Sequence, residues 1–258
     1  MTSDQKNYTE TAPSRHMLRW AEQFWQFSAR DDGHSIILPD ARSDIMFRYR
    51  VKGRKLTALS PIFTAPSMEP FTVEYAKGDC WVGARLKPEH TASLCSFSPT
   101  LLDVGSMRGQ EAIPLLSELG VEIHNLRDQR QLQRALQVAL GNLPAKQLFA
   151  WLKPAIDRFH LTGGRAKIAD IASALNISTR QLHRGFLKHV GVSPKDYCAI
   201  IRFHRSLRLL ERSNISIADV AFESGYADQS HMTREYARFG GFSPNQIPPN
   251  LSLPGLPV

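Results

Sequence analysis

Two copies of one short pattern, about fifty residues apart, decide what the C-terminal part of this chain can fold into. The first copy reads Ile168-Ala169-Asp170-Ile171-Ala172, then Arg180-Gln181-Leu182-His183-Arg184-Gly185-Phe186, then Gly191-Val192-Ser193-Pro194. The second reads Ile217-Ala218-Asp219-Val220-Ala221, then Ser230-His231-Met232-Thr233-Arg234-Glu235-Tyr236, then Gly241-Phe242-Ser243-Pro244. The offset is 49 in the opening segment and 50 afterwards, so the second copy carries one extra residue between its halves. An internal repeat means one structural unit used twice.

Each copy follows from local rules. Ile168, Ile171, Ala172 and Leu175 fall at i, i+3, i+4 and i+7, one face of a helix. Asn176-Ile177 interrupts it, and Ser178 stands three residues before Gln181, the spacing of a capping box. A second helix is therefore expected from about Ser178, with Leu182, Phe186 and Val190 inward and Arg180, His183 and Arg184 outward. Gly191, with Pro194 soon after, stops it. The second copy repeats the plan with a Gly225-Tyr226 turn, Asp228 as N-cap, and Met232 and Tyr236 inward. Gln229, Ser230, Thr233 and Arg234 are left exposed. The bland alternative is a pair of helical hairpins in an ordinary all-α domain.

Between the copies, Ile200, Phe203, Leu207 and Leu210 step by three and four, predicting a helix from Pro194 to Arg212. At the α-helical rise it is about 27 Å long. A rod of that size can hold two recognition helices about one DNA turn apart, roughly 34 Å, so that both enter successive major grooves. Arg202, Arg205 and Arg208 form its other face, read as solvated surface ahead of a phosphate-touching one.

The residues from Ile168 to Ala172, Ser178 to Phe186, Gly191 with Ser193-Pro194, Gly225-Tyr226, Asp228 to His231, and Arg234, Tyr236, Gly241 and Ser243-Pro244 carry a resemblance to the AraC/XylS family of bacterial transcription factors. The resemblance spans roughly 150–250. It implies two helix-turn-helix units joined by a long helix, with bases contacted from the exposed start and middle of each second helix. By position these contacts are Arg180, His183 and Arg184, then Gln229, Ser230, Thr233 and Arg234, with Lys188 further along as a phosphate contact. Two residues depart from the pattern. Gly185 lies inside the first recognition helix, where glycine costs about 1 kcal/mol relative to alanine, and Tyr236 stands where Phe is more usual. Arg184 and Arg234 also admit a structural reading, pairing with Asp170, Asp219 or Glu223 to fasten helices.

Charge agrees with a nucleic-acid partner. The chain has 32 Lys+Arg against 24 Asp+Glu, a net of +8. From Lys146 onward there are 15 basic and 8 acidic residues, so +7 of the excess lies in that part, where attraction to phosphate is useful. At 258 residues and 42% hydrophobic, two cored domains fit. The expected division is 1–145 as a sensor-like or dimerisation domain and 146–258 as the DNA-binding domain, with Leu143-Pro144-Ala145 as linker. No apolar run approaches the ~18 residues of a membrane span, and Met1 to Pro13 lacks a secretory signal. Cys80, Cys95 and Cys198 are widely spaced and odd in number, giving neither a disulfide framework nor a metal site. The chain reads as cytoplasmic, with no cofactor.

The N-terminal half is a different kind of object. Asp44 to Val51 alternates strictly, with Ile45, Phe47, Tyr49 and Val51 on one face, predicting a half-buried strand. Ser35–Leu38, Lys55–Leu59, Phe71–Tyr75 and Cys80–Leu86 are further strands, separated by turns at Pro39-Asp40, Gly53, Pro61, Pro66 and Lys77-Gly78-Asp79. A helix follows, with Leu132, Ala135, Leu136, Ala139 and Leu140 on one face and Gly141 as stop. The expected fold is an α+β N-terminal domain, a small antiparallel sheet or barrel with helices, followed by an all-α C-terminal domain. The aromatic segment Phe24-Trp25-Gln26-Phe27 is read as core or sheet packing.

Leu38 to Phe47, with Trp81 to Pro88, is similar to an uncharacterised sensor-like domain found before such DNA-binding modules. Ala41 stands where that family usually has Gly after a Pro-Asp pair. A barrel interior can hold one small molecule, with Asp40, Asp44 or Arg85 as polar contacts; strand-end salt bridges and turn bonds are the stronger reading of the same three residues. His34 and His90 lack the companions of a metal site. The expected function is a sequence-specific regulator of transcription that binds double-stranded promoter DNA and answers a signal, with a small-molecule effector, RNA polymerase and a second copy of the chain as further partners. Two alternatives stand beside it: a DNA-binding module fused to an enzyme, such as an alkyl-transfer protein with a reactive cysteine, and a constitutive dimeric regulator with no ligand. A stripe such as Leu132 to Leu140 can serve a twin as readily as its own sheet.

Overall fold

The structure is a computed structural model that describes residues 7–91, 93–94, 106–145, 147–212 and 215–252. The strands are β1 (Tyr8–Thr11), β2 (Ala21–Ser28), β3 (Gly33–Ile37), β4 (Asp44–Lys52), β5 (Lys55–Thr64), β6 (Phe71–Tyr75), β7 (Cys80–Leu86), β8 (Ser106–Arg108) and β9 (Leu251–Ser252). The helices are α1 (Ile113–Glu118), α2 (Gln129–Gly141), α3 (Leu152–Leu161), α4 (Ile168–Ala174), α5 (Thr179–His189), α6 (Pro194–Arg212), α7 (Ile217–Ser224) and α8 (Gln229–Gly240). The chain forms two compact units, one from 1–35, 42–66 and 73–147 and the other from 36–41, 67–72 and 148–258.

The first unit is an antiparallel sheet in the order β1-β2-β7-β4-β5-β8. Among the described residues the edge strands β1 and β8 do not pair, so the sheet stays open rather than closing into a barrel. Ile45, Phe47 and Tyr49 of β4 are buried as their alternation requires, but Val51 is 53% exposed, beyond Tyr49, where the pairing with β7 ends. The aromatic segment expected to pack on a sheet is itself the strand β2, with Trp25 opposite Gly83. A side chain at Gly83 would collide with the Trp25 ring.

Pro61 does not turn the chain as expected. It lies inside β5, opposite Phe47. On its other side the pairing with β8 begins only at Ile62, so its missing N–H leaves no ladder partner unmet there. The stripe on α2 is spent inside the unit: Leu132, Ala135, Leu136, Ala139 and Leu140 are buried in one cluster with Ile45, Phe47, Phe63, Val82 and Leu86. That packing removes the stripe as grounds for self-association.

The second unit is built mainly of α3 to α8, around a core that includes Phe159, Phe186, Tyr197, Phe203, Tyr236 and Phe239. Two short segments from early in the chain belong to it. Leu38 and Ala41 are buried in its core and Met68 packs on it. Ile36 and Ile37 pair in parallel with Leu251 and Ser252. His204 Nε2 on α6 lies 2.7 Å from the Pro39 carbonyl oxygen. Ala41 keeps the turn that its sensor-like resemblance assigns to glycine, at φ 57° and fully buried. A left-handed alanine costs about 1–2 kcal/mol, which its burial against the core offsets.

Candidate nucleic-acid interface

The two helix-turn-helix units are the same device written twice. In the first, α4 ends as Asn176 takes φ 55° and the Ile177 N–H donates to the Ala172 carbonyl at 3.0 Å. Ser178 then caps α5: the Gln181 N–H donates to Ser178 Oγ at 3.1 Å, and the Ser178 N–H donates to Gln181 Oε1 at 2.8 Å. Gly191, at φ 85°, stops the helix, with its N–H on the Phe186 carbonyl. In the second unit, Gly225 takes φ 85° and the Tyr226 N–H donates to the Ala221 carbonyl at 2.9 Å. Asp228 caps α8, its carboxylate accepting from the His231 N–H at 2.6 Å. Between them, α6 occupies the predicted span, and Ser193 caps its start by accepting from the Asp196 N–H.

These caps fix which faces look outward. On α5, Leu182 and Phe186 are buried while Arg180, His183, Arg184 and Lys188 are exposed. On α8, Met232 and Tyr236 are buried while Gln229, Ser230, Thr233 and Arg234 are exposed. The Thr233 hydroxyl donates back to the Gln229 carbonyl at 2.9 Å, which leaves its oxygen lone pairs for an incoming donor. Lys188 Nζ sits 5.5 Å from the centre of the Phe149 ring. Phe149 in turn stacks on Trp151, with centroids 5.1 Å apart and planes within 5°.

The structural alternative for Arg184 and Arg234 is not realised: among the described residues neither forms an ion pair with a carboxylate. The fastening role falls to Arg202, which lies not on a solvated face, as the helix pattern predicts, but against α8. Its Nη2 donates to Glu235 Oε1 at 2.8 Å and its Nη1 to the Gly164 carbonyl at 3.0 Å. Its guanidinium also lies 5.6 Å from the centre of the Tyr226 ring. The side chains of Arg202 and Glu235 are only 15% and 12% exposed, so this pair ties α6 to α8 largely out of water. Arg205 and Arg208 are half-buried. A second tie, between Arg238 Nη2 and Asp196 Oδ1 at 2.8 Å, joins the same two helices nearer the surface.

The remaining candidates separate. Asp44 and Arg85 meet in the first unit, with Arg85 Nε 3.5 Å from Asp44 Oδ1, and Trp25 Nε1 donates to the same oxygen at 2.8 Å. Burial pushes the nearby Tyr8 phenol far up, against the opposing pull of the Arg85 charge. Asp40 belongs to the second unit and is buried beside Ala41. His34 is exposed and His90 is buried against Trp20, with ring centres 4.7 Å apart. Among the described residues no three His, Cys, Asp or Glu side chains gather as a metal site requires. Cys198 is buried in the helical core, and that burial pushes its thiol up to about 12, away from the reactive thiolate. Cys80 is partly exposed, and Cys95 lies outside the described residues. No described helix is long and apolar enough to cross a membrane.

Residues 171–247 match a family model described as a helix-turn-helix domain. This segment is similar to the helix-turn-helix domains of AraC-type regulators. Over 101 residues, 39% of this chain and 34% of the other protein, the chain is 32% identical to the HTH-type transcriptional activator RhaS of Enterobacter sp. (strain 638). The Msm operon regulatory protein of Streptococcus mutans is 32% identical over 85 residues, 33% of this chain and 31% of that protein. The chain thus spans about a third of the length of the curated relatives it matches. Among solved structures, ToxT from Vibrio cholerae is similar over 92% of this chain and 96% of its own, at 15% identity and a TM-score of 0.42.

Proposed function

We propose that the chain is a sequence-specific regulator of transcription that reads double-stranded promoter DNA through α5 and α8. The observation that carries this reading is the repeated cap and turn, which present two helices with Arg180, His183 and Arg184 of one and Gln229, Ser230 and Arg234 of the other exposed. Arg180, His183 and Arg184 are the base-reading set of the first helix, with Lys188 on phosphate. Gln229, Ser230, Thr233 and Arg234 are the set of the second. The similarity to RhaS, a transcriptional activator, supports the same assignment. Selection of duplexes from a random pool by the intact chain, followed by footprinting, tests it: two protected major-groove segments about one helical turn apart are expected. A chain that enriches no sequence sinks it.

The N-terminal domain, residues 1–145, is proposed to sense a signal in the cytoplasm, through a small-molecule effector bound near Asp44 and Arg85. Asp44 and Arg85 pair with each other, and Asp44 with Trp25, which is the strand-end salt-bridge reading of the same residues. RNA polymerase and a second copy of the chain are the further proposed partners. Footprints that change on adding fractionated small molecules test the effector. An intact-mass measurement after exposure to methylated DNA tests the alkyl-transfer alternative, for which no mass gain is expected.

A further inference from the structure

The first turns of α5 and α6 border an open cleft of about 310 Å³, lined by Ile168, Thr179, Arg180, His183, Pro194 and Lys195. Arg180 and His183 already stand in the base-reading set; Lys195 comes from a different helix. It is exposed, and among the described residues no carboxylate pairs with it. The adjacent acid, Asp196, is taken up by Arg238 on one oxygen and by the Ser193 hydroxyl on the other. The Lys195 ammonium is therefore an uncompensated charge at the edge of the first recognition helix.

The lining is mixed in a particular way. Ile168 and Pro194 offer apolar surface, while Lys195 and the Thr179 hydroxyl offer donors. A free inorganic anion would leave the apolar wall uncovered. A base edge is better met by the planar guanidinium of Arg180, whereas an ammonium on a flexible stem suits phosphate as a point charge. A deoxyribose with its phosphate matches both halves of the lining.

We propose that this cleft holds one sugar–phosphate unit of the DNA backbone, with Lys195 as the phosphate contact that sets the register of α5 in the groove. The assignment rests on the DNA-reading function proposed above. Such a contact positions without carrying sequence information.

The test compares wild type with Lys195→Gln and Lys195→Arg, all as the full chain, on a selected duplex and on an unrelated one. Lys195→Gln is expected to weaken both complexes alike, to flatten the salt dependence by about one unit of slope, and to leave base preference unchanged. Lys195→Arg restores the slope. A scan of single neutral methylphosphonates along the selected duplex should reveal one position that weakens wild type and has no further effect on Lys195→Gln. An unchanged slope, a changed base preference, or loss at every methylphosphonate position equally in both proteins overturns the inference while leaving the DNA-reading function standing. A wild-type chain that selects no sequence overturns that function, and the inference with it.

Discussion

The two helix-turn-helix units agree in their turns and differ in how their second helices are fastened. Ile177 and Tyr226 make the same turn hydrogen bond, and Ser178 and Asp228 cap equivalent helices by accepting from the third residue on. At the inner seam the correspondence breaks. Glu235, which holds Arg202, stands fifty residues after Gly185, where a side chain would collide with the Trp151 ring. One seam is an ion pair largely removed from water; the other is an aromatic ring seated in a glycine notch. Caps and turns are set by backbone groups that need partners, so they tolerate little variation. A seam needs only to be filled and neutral, so opposite chemistries serve.

The sharpest way to break this comparison is to remove one side of the charged seam. Glu235→Ala leaves Arg202 buried and uncompensated, and is expected to cost about 3–5 kcal/mol. Thermal or urea unfolding reads the loss, and adding Arg202→Ala should recover part of it. If Glu235→Ala is neutral, the pair does not hold the second unit together.

Next comes the DNA side of the same contrast. Arg184→Ala is expected to weaken specific binding by about 1–3 kcal/mol and relax preference at one base pair, while Gln229→Ala costs less, because the second head is less basic. Titration on a selected duplex and its single-base variants measures both. An Arg184→Ala protein that melts early yet keeps its preference would assign that arginine to structure.

In the glycine seam, Gly185→Ala improves helix propensity yet overpacks the ring of Trp151. A net loss of about 1–2 kcal/mol is expected, reversed in a Trp151→Leu background. Stabilisation by Gly185→Ala alone would show that the notch is not filled as described. The smallest effect lies in the turns. Asn176→Gly should change stability by no more than about 0.5 kcal/mol, since both residues accept a left-handed backbone, whereas Gly225→Ala should cost about 1–2 kcal/mol from strain and the Arg165 side chain. Equal, near-zero effects at both turns would dissolve that distinction.

The repeat was legible because caps, stops and apolar periods act within a few residues. Ser178 with Gln181, Gly191 and Asp228 could each be read from neighbours alone, and α6 from its stripe. The seams were not legible. Arg202 finds Glu235 across 33 residues, and nothing in its local pattern separates it from a solvated arginine. Gly185 reads as a helix defect until Trp151 is placed over it. In the N-terminal half, β2 escaped because its run of aromatics breaks the alternation that marks a strand. The turn assigned to Pro61 failed because the residue's effect depends on whether a neighbouring strand reaches it.

Leu38, Ala41 and the Pro39 carbonyl have a bearing on how the chain is made. Ile36 precedes its partner Leu251 by 215 residues, and Pro39 precedes His204 by 165. At translation rates of about 5–20 residues per second, roughly ten to forty seconds pass before Ile36 can meet Leu251. During that interval the segment 36–41 leaves the ribosome with its apolar side chains uncovered. Completing the helical unit is therefore a late event of high sequence separation, slow relative to the local formation of α4 and α5. A C-terminal fragment cut at residue 146 never receives the segment at all, so its α5 and α8 would form over a core that lacks Leu38 and Ala41.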